Sequence, residues 1–287
     1  MNHNLSSGGE NMLVNGVSLF VRRFGDPSRP TWDHSYLLPA VARLSDVAYV
    51  VMFDLRGCGR SSRTPELPVS ALQPDHLADD VAALVRSLGA EKADVLGFSY
   101  GGMVAMRVVE QHPELVRSVI LASTTAYRNW SPSADYQERR RLCPEVSFSD
   151  PVLSGPEAPD GALSRAMAVA DAPLAIWHLD RLAEWHEVLD GVRFSSDWNE
   201  PYAAGKLRPA APEDAPRVLR EWGGPALVVH GARDMGFPVG VARRLHAELP
   251  GSTLAEIPEA AHMAHFDDPE AWLAAVRAFL SAQSSAS

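Results

Sequence analysis

Apolar residues in the chain come in short continuous runs that alternate with longer amphipathic segments. A continuous apolar run predicts a strand buried on both faces, whereas apolar residues three and four apart predict a helix that covers the sheet. The predicted strands are residues 12–14, 17–24, 47–53, 93–98, 118–122, 225–230 and 253–257, and the predicted helices are residues 36–44, 74–89, 101–112, 239–249 and 269–281. This alternation is typical of βαβ units, so we predict an α/β fold with a doubly wound, mostly parallel sheet.

The alternation stops in the middle of the chain. Residues 127–221 contain no β-like apolar run and are rich in Pro, Ala, Trp and charged residues. Within them, residues 162–189 have a helical pattern. We therefore predict a core formed by residues 1–126 and 222–287, with a helical cap of residues 127–221 inserted into it.

Composition narrows the class of protein. The 287 residues carry a net charge of −10, and 46% of them are hydrophobic. This composition argues against a disordered chain, and the acidic balance argues against a nucleic-acid partner. The two cysteines, Cys58 and Cys143, are too few for a disulfide framework. No segment has the pattern of a secretion signal or a membrane span, so we expect a cytoplasmic protein without a membrane partner.

The sharpest chemical signal is the hexapeptide GFSYGG at residues 97–102. It lies between a predicted strand and a predicted helix, which is the context of a nucleophile elbow. Small residues let such a strained turn pass close to the sheet, and the turn presents the hydroxyl of Ser99 at the carboxyl end of the strand. The backbone N–H of Tyr100 is the expected oxyanion-hole donor. The alternative is a Gly/Ser turn with a purely structural role.

A serine nucleophile needs a base that is itself held by a third group. In this type of fold the acid and the base follow the serine in that order along the chain. Asp234 follows a late predicted strand, and His262 follows the last one. We therefore predict Ser99, Asp234 and His262 as the nucleophile, the acid and the base, with an N-cap or turn role as the alternative for Asp234.

Other histidines leave alternatives open. His265 is the rival base, although His262 comes first after the strand. The two histidines with Asp267 and Asp268 could form a metal site, but no further ligand cluster accompanies them. We therefore expect no metal and no cofactor. His230, at the end of its strand, is expected to be structural.

Several segments together resemble the α/β-hydrolase superfamily, and more narrowly its proline iminopeptidase-like branch. They are residues 33–37, 54–62, 97–102, 231–234 and the segment that ends at His262. The resemblance covers residues 12–126 and 222–281. It implies serine hydrolase chemistry and a helical cap over the active site.

The chain departs from this family before the segment at residues 33–37. Family members carry there an apolar strand that ends in His-Gly-Gly-Pro-Gly, and this turn supplies the second oxyanion donor. Here residues 30–34 read Pro-Thr-Trp-Asp-His. The resemblance therefore predicts that a central strand is missing, with one donor fewer and with either unpaired backbone groups or two strands forced to re-pair. Residues 25–34 are either rebuilt as a substitute, or the chain is a deletion variant with impaired folding.

Charge within the cap suggests a substrate. Residues 171–200 contain two basic and seven acidic residues beside three tryptophans. Carboxylates and aromatic rings can hold a cationic amine, and the resemblance implies cap carboxylates for a substrate's amino terminus. Glu184, Glu200 and Trp177 are the candidate substrate-binding residues. The alternative is a solvated helix face whose tryptophans pack on the core.

The leading hypothesis is a serine hydrolase that forms an acyl-enzyme without a cofactor. Its expected partner is a small molecule or short peptide: an aminoacyl amide, an ester or a lactone. The alternative is a catalytically impaired hydrolase-fold protein, or a deletion variant, that binds a ligand under the cap. The sequence does not indicate an oligomeric state.

Overall fold

The computed structural model describes residues 9–24, 30–31, 35–63 and 67–285, and these residues form the alternating strands and helices that the apolar pattern predicts. The strands are β1 (Glu10–Val14), β2 (Val17–Phe24), β3 (Pro30–Thr31), β4 (Tyr49–Phe53), β5 (Ala93–Phe98), β6 (Val116–Ala122), β7 (Ala226–Gly231) and β8 (Thr253–Ile257). The helices are α1 (Leu38–Val41), α2 (Pro74–Ser87), α3 (Tyr100–Gln111), α4 (Tyr136–Arg140), α5 (Pro151–Ser154), α6 (Ala162–Ala170), α7 (Ala172–Ala175), α8 (Leu182–Asp190), α9 (Asn199–Ala203), α10 (Ala215–Trp222), α11 (Val239–Glu248), α12 (Ala264–Asp267) and α13 (Pro269–Ser285). Short 3-10 segments occupy Ser35–Leu37, Ala42–Asp46, Val69–Leu72, Pro113–Leu115 and Leu179–Arg181.

The described strands form two sheets of four. The first has the order β1-β2-β4-β3, in which β2 is antiparallel to β1 and β4. The second has the order β5-β6-β7-β8 and is parallel throughout. Strands β4, β5 and β7 are buried along their whole length, because helices cover both faces of parallel strands. The predicted doubly wound, mostly parallel architecture is confirmed.

Strand β3 lies at the end of the first sheet, beside β4. It has two residues, and Pro30 and Thr31 pair in parallel with Tyr49 and Val50 of β4. Residues 25–29 and 32–34 lie outside the described part of the chain, and with them the Asp33-His34 part of the family motif. The missing central strand therefore stays a prediction.

Two apolar layers cover the sheets. On one face, α2, α3, α10 and α11 bury side chains such as Leu84, Val108 and Leu219 against the strands. On the other face, α1 and α13 bury side chains such as Val41 and Trp272. Burial of each such side chain stabilises the fold by about 1.5–3 kcal/mol.

The segment between β6 and β7 is described in full and contains helices α4 to α10 without a strand. It has a small apolar cluster of its own, built around the fully buried Trp185 with Ile176 and Leu189. Helix α10 is different, since Leu219 packs into the main core beneath α3. The division into core and cap stays a prediction. Among the described helices, none is both long and apolar enough to cross a membrane.

The loop after β4 is held by a buried ion pair. Arg56 Nε donates to Asp80 Oδ2 on α2 at 2.6 Å, and both side chains are almost fully buried. The indole N–H of Trp198, from the helical segment, donates to the Arg56 carbonyl at 3.1 Å. This loop therefore presents Leu55 and Cys58 toward Ser99 from a fixed position.

Candidate active site

A single residue, Ser99, joins β5 to α3. It has φ +50° and ψ −116°, a conformation that costs a non-glycine residue about 1–3 kcal/mol. Neighbouring strand β6 holds this backbone, because the Ser99 N–H donates to the Ala122 carbonyl at 2.9 Å. The Ser99 carbonyl also accepts a hydrogen bond from the Thr124 hydroxyl at 2.6 Å. The strained turn thus lies at the position where the sequence predicts a nucleophile elbow.

Two of the glycines in the hexapeptide are required by close contacts. A Cβ on Gly97 would lie 2.2 Å from the Gly101 carbonyl oxygen, and a Cβ on Gly102 would lie 2.5 Å from Thr124 Cγ2. A Cβ on Gly101 would meet nothing within 4 Å. Helix α3 can pack this closely only because Gly97 and Gly102 lack side chains.

The structure brings together the three residues that the sequence selects as nucleophile, acid and base. His262, in the loop between β8 and α12, has Nε2 at 3.0 Å from Ser99 Oγ. Its other ring nitrogen, Nδ1, lies 2.7 Å from Asp234 Oδ2. An imidazole held in this way can accept a proton from the hydroxyl while the carboxylate fixes its orientation.

Asp234 is fully buried, and its carboxylate is held on both oxygens. Oδ1 accepts hydrogen bonds from the backbone N–H groups of Gly236 and Phe237, both at 2.9 Å. Burial alone would raise the pKa of this carboxyl group, but the charge and hydrogen bond of His262 lower it. With help from the Phe237 N–H, they hold the pKa of Asp234 below its usual value. The carboxyl group is therefore ionised.

The other two histidines do not contact Ser99. His265 packs edge-on against the Phe98 ring, with ring centroids 5.2 Å apart, and burial with the nearby His262 lowers its pKa to about 3. His230 Nε2 lies 2.6 Å from the Phe237 carbonyl oxygen, and burial lowers its pKa as well. Both rings are neutral packing elements behind Asp234 and His262.

A buried carboxylate that the sequence indicates only as a metal-site alternative joins the helical segment to the His262 loop. Asp267 accepts hydrogen bonds from the backbone N–H groups of Trp177 at 2.9 Å and Ala261 at 2.8 Å. Burial raises its pKa, although these donors act in the opposite direction. Among the described residues, no cluster of His, Cys, Asp and Glu is arranged to hold a metal ion. No sequence signal reveals this contact, because the donors are backbone groups.

The three candidate substrate-binding residues lie elsewhere. Glu184 and Glu200 are exposed, and they form ion pairs with Arg181 at 2.9 Å and Lys206 at 2.6 Å. Trp177 lies between the guanidinium groups of two arginines, and its indole N–H donates to a surface glutamate. The structure does not bring any of the three to Ser99, since surface partners close in sequence or space hold them.

An apolar cavity of about 440 Å³ opens beside Ser99. Its lining extends from Phe148 and Met167 of the helical segment to Val95 and Val108 of the core. No charged side chain lies among its described lining residues. The Cys58 thiol also lines it, and burial with the charge of Asp54 raises the pKa of this thiol to about 12, so it is neutral.

A second cavity of about 410 Å³ lies under the helical segment. It shares Tyr36, Cys58, Trp198 and Asn199 with the first cavity. Its one carboxylate among the described lining residues is Asp171, which pairs with Arg140 at 2.8 Å. The site thus has an apolar cavity beside Ser99 and a partly polar cavity under the helical segment.

The Tyr100 N–H is the donor that the sequence predicts for an oxyanion. Tyr100 is the first residue of α3, a position whose N–H has no acceptor within the helix. The positive end of the helix dipole lies at the same point. The absence of the second donor that the resemblance implies stays a prediction, because residues 32–34 lie outside the described residues.

A parallel sheet with helices on both faces and a serine at a strained strand–helix turn define the class of protein. The family model for the alpha/beta hydrolase fold matches residues 24–269. The chain belongs to this family, and the resemblance found in the sequence is confirmed at that level.

Known proteins of this family are similar over most of the chain. A proline iminopeptidase of Levilactobacillus brevis is 29% identical over 246 residues, which are 81% of this chain and 79% of that protein. The 3-oxoadipate enol-lactonase 2 of Acinetobacter baylyi is 27% identical over 282 residues, or 94% and 96% of the two chains. A thermophilic esterase from Thermogutta terrifontis has the same fold, with a TM-score of 0.71 at 23% identity over 96% of this chain and 99% of that one. The family and these relatives indicate a hydrolase.

Proposed function

We propose that the protein is a serine hydrolase in which Ser99 is the nucleophile, His262 the general base and Asp234 the group that orients the base. The observation that carries the proposal is the continuous contact from Ser99 Oγ through His262 to Asp234, at 3.0 and 2.7 Å. A serine hydroxyl is a poor nucleophile unless a base removes its proton, and this contact supplies the base.

The reaction proceeds in two halves. Ser99 Oγ bonds to the acyl carbon while its proton passes to His262 Nε2, and the carbonyl oxygen takes negative charge near the Tyr100 N–H. The bond to the leaving group then breaks, and His262 protonates that group. Water attacks the acyl-enzyme and gives a proton to His262, and the acid leaves as the proton returns to Ser99.

We propose a neutral carbonyl substrate, an ester or a lactone in preference to an aminoacyl amide. The cavity beside Ser99 has an apolar lining, and the carboxylates expected to hold a substrate amine lie in surface ion pairs. A free amine would be costly to bury without a charged partner. A small organic substrate in the cytoplasm is the corresponding expectation for partner and location.

Labelling with a fluorophosphonate tests the function. We expect an adduct on Ser99, found by peptide mass analysis, that is absent from Ser99→Ala. The matched control is Ser123→Ala, which removes a buried hydroxyl from the next strand end and should leave labelling unchanged. A folded protein that never labels would overturn the proposal and favour the ligand-binding alternative. Hydrolysis of prolyl p-nitroanilide faster than p-nitrophenyl butanoate would restore the aminoacyl substrate.

A further inference from the structure

We propose that the cavity beside Ser99 binds an elongated apolar acyl chain, whose carbonyl lies at Ser99 and whose methyl end lies deep in the core. This inference rests on the proposed serine hydrolase, because it assigns the acyl side of that enzyme's substrate. It also makes a binding claim that is measurable without catalysis.

Two elements give the depth of the cavity independently. Strand β5 runs up to Ser99, and its Val95, four residues earlier, lines the cavity, which corresponds to about 13 Å at the rise of a strand. Helix α3 runs back down from Ser99, and its Val108, nine residues later, also lines the cavity, again about 13 Å at the rise of a helix. The cavity therefore reaches well below the nucleophile, to a depth that suits a chain such as decanoyl.

The position of this space follows from the two sheets. Protein interiors contain few voids larger than a water molecule, so a space that reaches core valines needs a structural cause. In the first sheet, the strand beside β4 is β3, which has only two residues. The second sheet begins with β5. Phe53 of β4, Val95 of β5 and Val81 of α2 all line the cavity. Residues of β4, β5, α2 and α3 therefore surround the space below Ser99.

The chemistry of the lining selects the ligand. The described residues below Ser99 that line the cavity are apolar, so a hydrocarbon is the group that gains most from entering it. Each methylene buried there should increase kcat/KM by about fourfold. His262, which must protonate the leaving group, is not among the described lining residues. The leaving group therefore lies on the His262 side, and the cavity receives the acyl side.

A series of p-nitrophenyl esters tests this. We expect kcat/KM to rise from acetate through butanoate and octanoate to decanoate, and to fall at hexadecanoate because that chain is longer than the cavity depth of about 13 Å. Alkyl acetates of increasing alcohol length should show no such rise. Equal rates across the acyl series, or a rise in the alcohol series alone, would overturn the proposal.

Ala105→Leu adds bulk on α3 inside the cavity, and Ala271→Leu makes the same change on α13, outside the described lining. We expect the decanoate-to-acetate ratio of kcat/KM to fall at least about tenfold in the first and to stay unchanged in the second. If Ala105→Leu melts early, Val81→Leu narrows the opposite wall and should lower the same ratio. An unchanged ratio in the folded variants would contradict the proposal.

A binding measurement distinguishes failure of the acyl-chain site from failure of the serine hydrolase proposal. Ser99→Ala should bind decanoate in isothermal titration calorimetry but not acetate, and Ala105→Leu in that background should weaken decanoate binding at least about tenfold. If no ester is hydrolysed but the fatty acid binds in this manner, the serine hydrolase fails and the chain site stands. If esters are hydrolysed but the fatty acid does not bind, the chain site fails alone.

Discussion

Asp267 accepts a hydrogen bond from the Trp177 N–H at 2.9 Å, across a separation of 90 residues. The same carboxylate oxygen accepts from the N–H of Ala261, the residue before His262. One buried side chain thus connects the helical segment to the loop that carries the proposed base. We infer that it positions His262 without touching the substrate.

Asp267→Asn should lower kcat more than it changes KM. The amide replaces Oδ1, which accepts from the Trp177 N–H at 3.0 Å and the His178 N–H at 3.4 Å, with an NH2 group that cannot accept a hydrogen bond, at a cost of about 1–3 kcal/mol. We expect kcat to fall by about tenfold or more and the melting temperature to fall by a few degrees. Steady-state kinetics over a pH series should show a displaced pH profile.

Asp268→Asn is the matched control, because Asp268 accepts the Ala271 N–H at 3.0 Å at the start of α13, a capping role that asparagine also fills. Equal effects of the two substitutions would show that Asp267 has only a general structural role.

Asp234→Asn should reduce turnover by about 10³–10⁴-fold while the protein stays folded. Asparagine keeps one oxygen for the Gly236 and Phe237 donors but no longer stabilises a charged His262. The comparison is kcat for the purified variant against Glu259→Gln, which changes an exposed carboxylate near the same loop. Turnover that falls equally in both would remove Asp234 from the proposed mechanism.

Gly97→Ala should destabilise the fold, whereas Gly101→Ala should not. The added methyl at position 97 would meet backbone at 2.2 Å, which cannot move aside cheaply, but the methyl at position 101 would meet nothing within 4 Å. We expect the free energy of unfolding in urea to fall by about 1–3 kcal/mol for Gly97→Ala. For Gly101→Ala it should change by at most about 1 kcal/mol, in the stabilising direction. The reverse order would mean that α3 does not approach β5 this closely.

His265 should make stability depend on pH. Burial and the neighbouring His262 lower its pKa to about 3, and an unfolded histidine has a pKa of about 6.5. Below pH 6.5 the unfolded chain therefore binds a proton that the folded chain does not, so stability is lost as the pH falls from about 6.5 toward 3. From pH 7 to pH 5, His265→Phe should lose about 2 kcal/mol less of the free energy of unfolding than the unmodified protein.

The control for this measurement is His76→Phe, since His76 is half exposed on α2. It should keep the pH dependence of the unmodified protein. If His265→Phe also kept it, the buried ring would be protonated in the folded state.

The sequence predicts best what depends on local pattern. Strands β5, β7 and β8, which precede Ser99, Asp234 and His262, are short segments rich in apolar residues, and the glycines of the hexapeptide permit a tight turn. Chain order then selects the three residues, and the structure places them in contact. The placement of β4 relative to β5 is harder to predict from the sequence, because it depends on β3, whose residues show no clear strand pattern.

The predicted substrate-binding residues show what sequence composition cannot predict. Glu184 and Glu200 lie in an acidic, Trp-rich segment, but composition does not tell which side of a helix faces the cavity. Arg181 and Lys206 lie within a few residues and pair with them on the surface. Conversely, Asp267 shows no pattern at all, since its partners are N–H groups that any sequence would supply.

The junction between β5 and α3 is one residue long, which limits how this protein can change over evolutionary time. An inserted residue at Ser99 would rotate α3 by about 100° about its axis, because an α-helix has 3.6 residues per turn. The buried face of the helix, with Val104 and Val108, would then turn away from the sheet. A point substitution at Ser99 can exchange one chemistry for another, but an insertion or deletion there would disrupt the packing of α3 on the sheet.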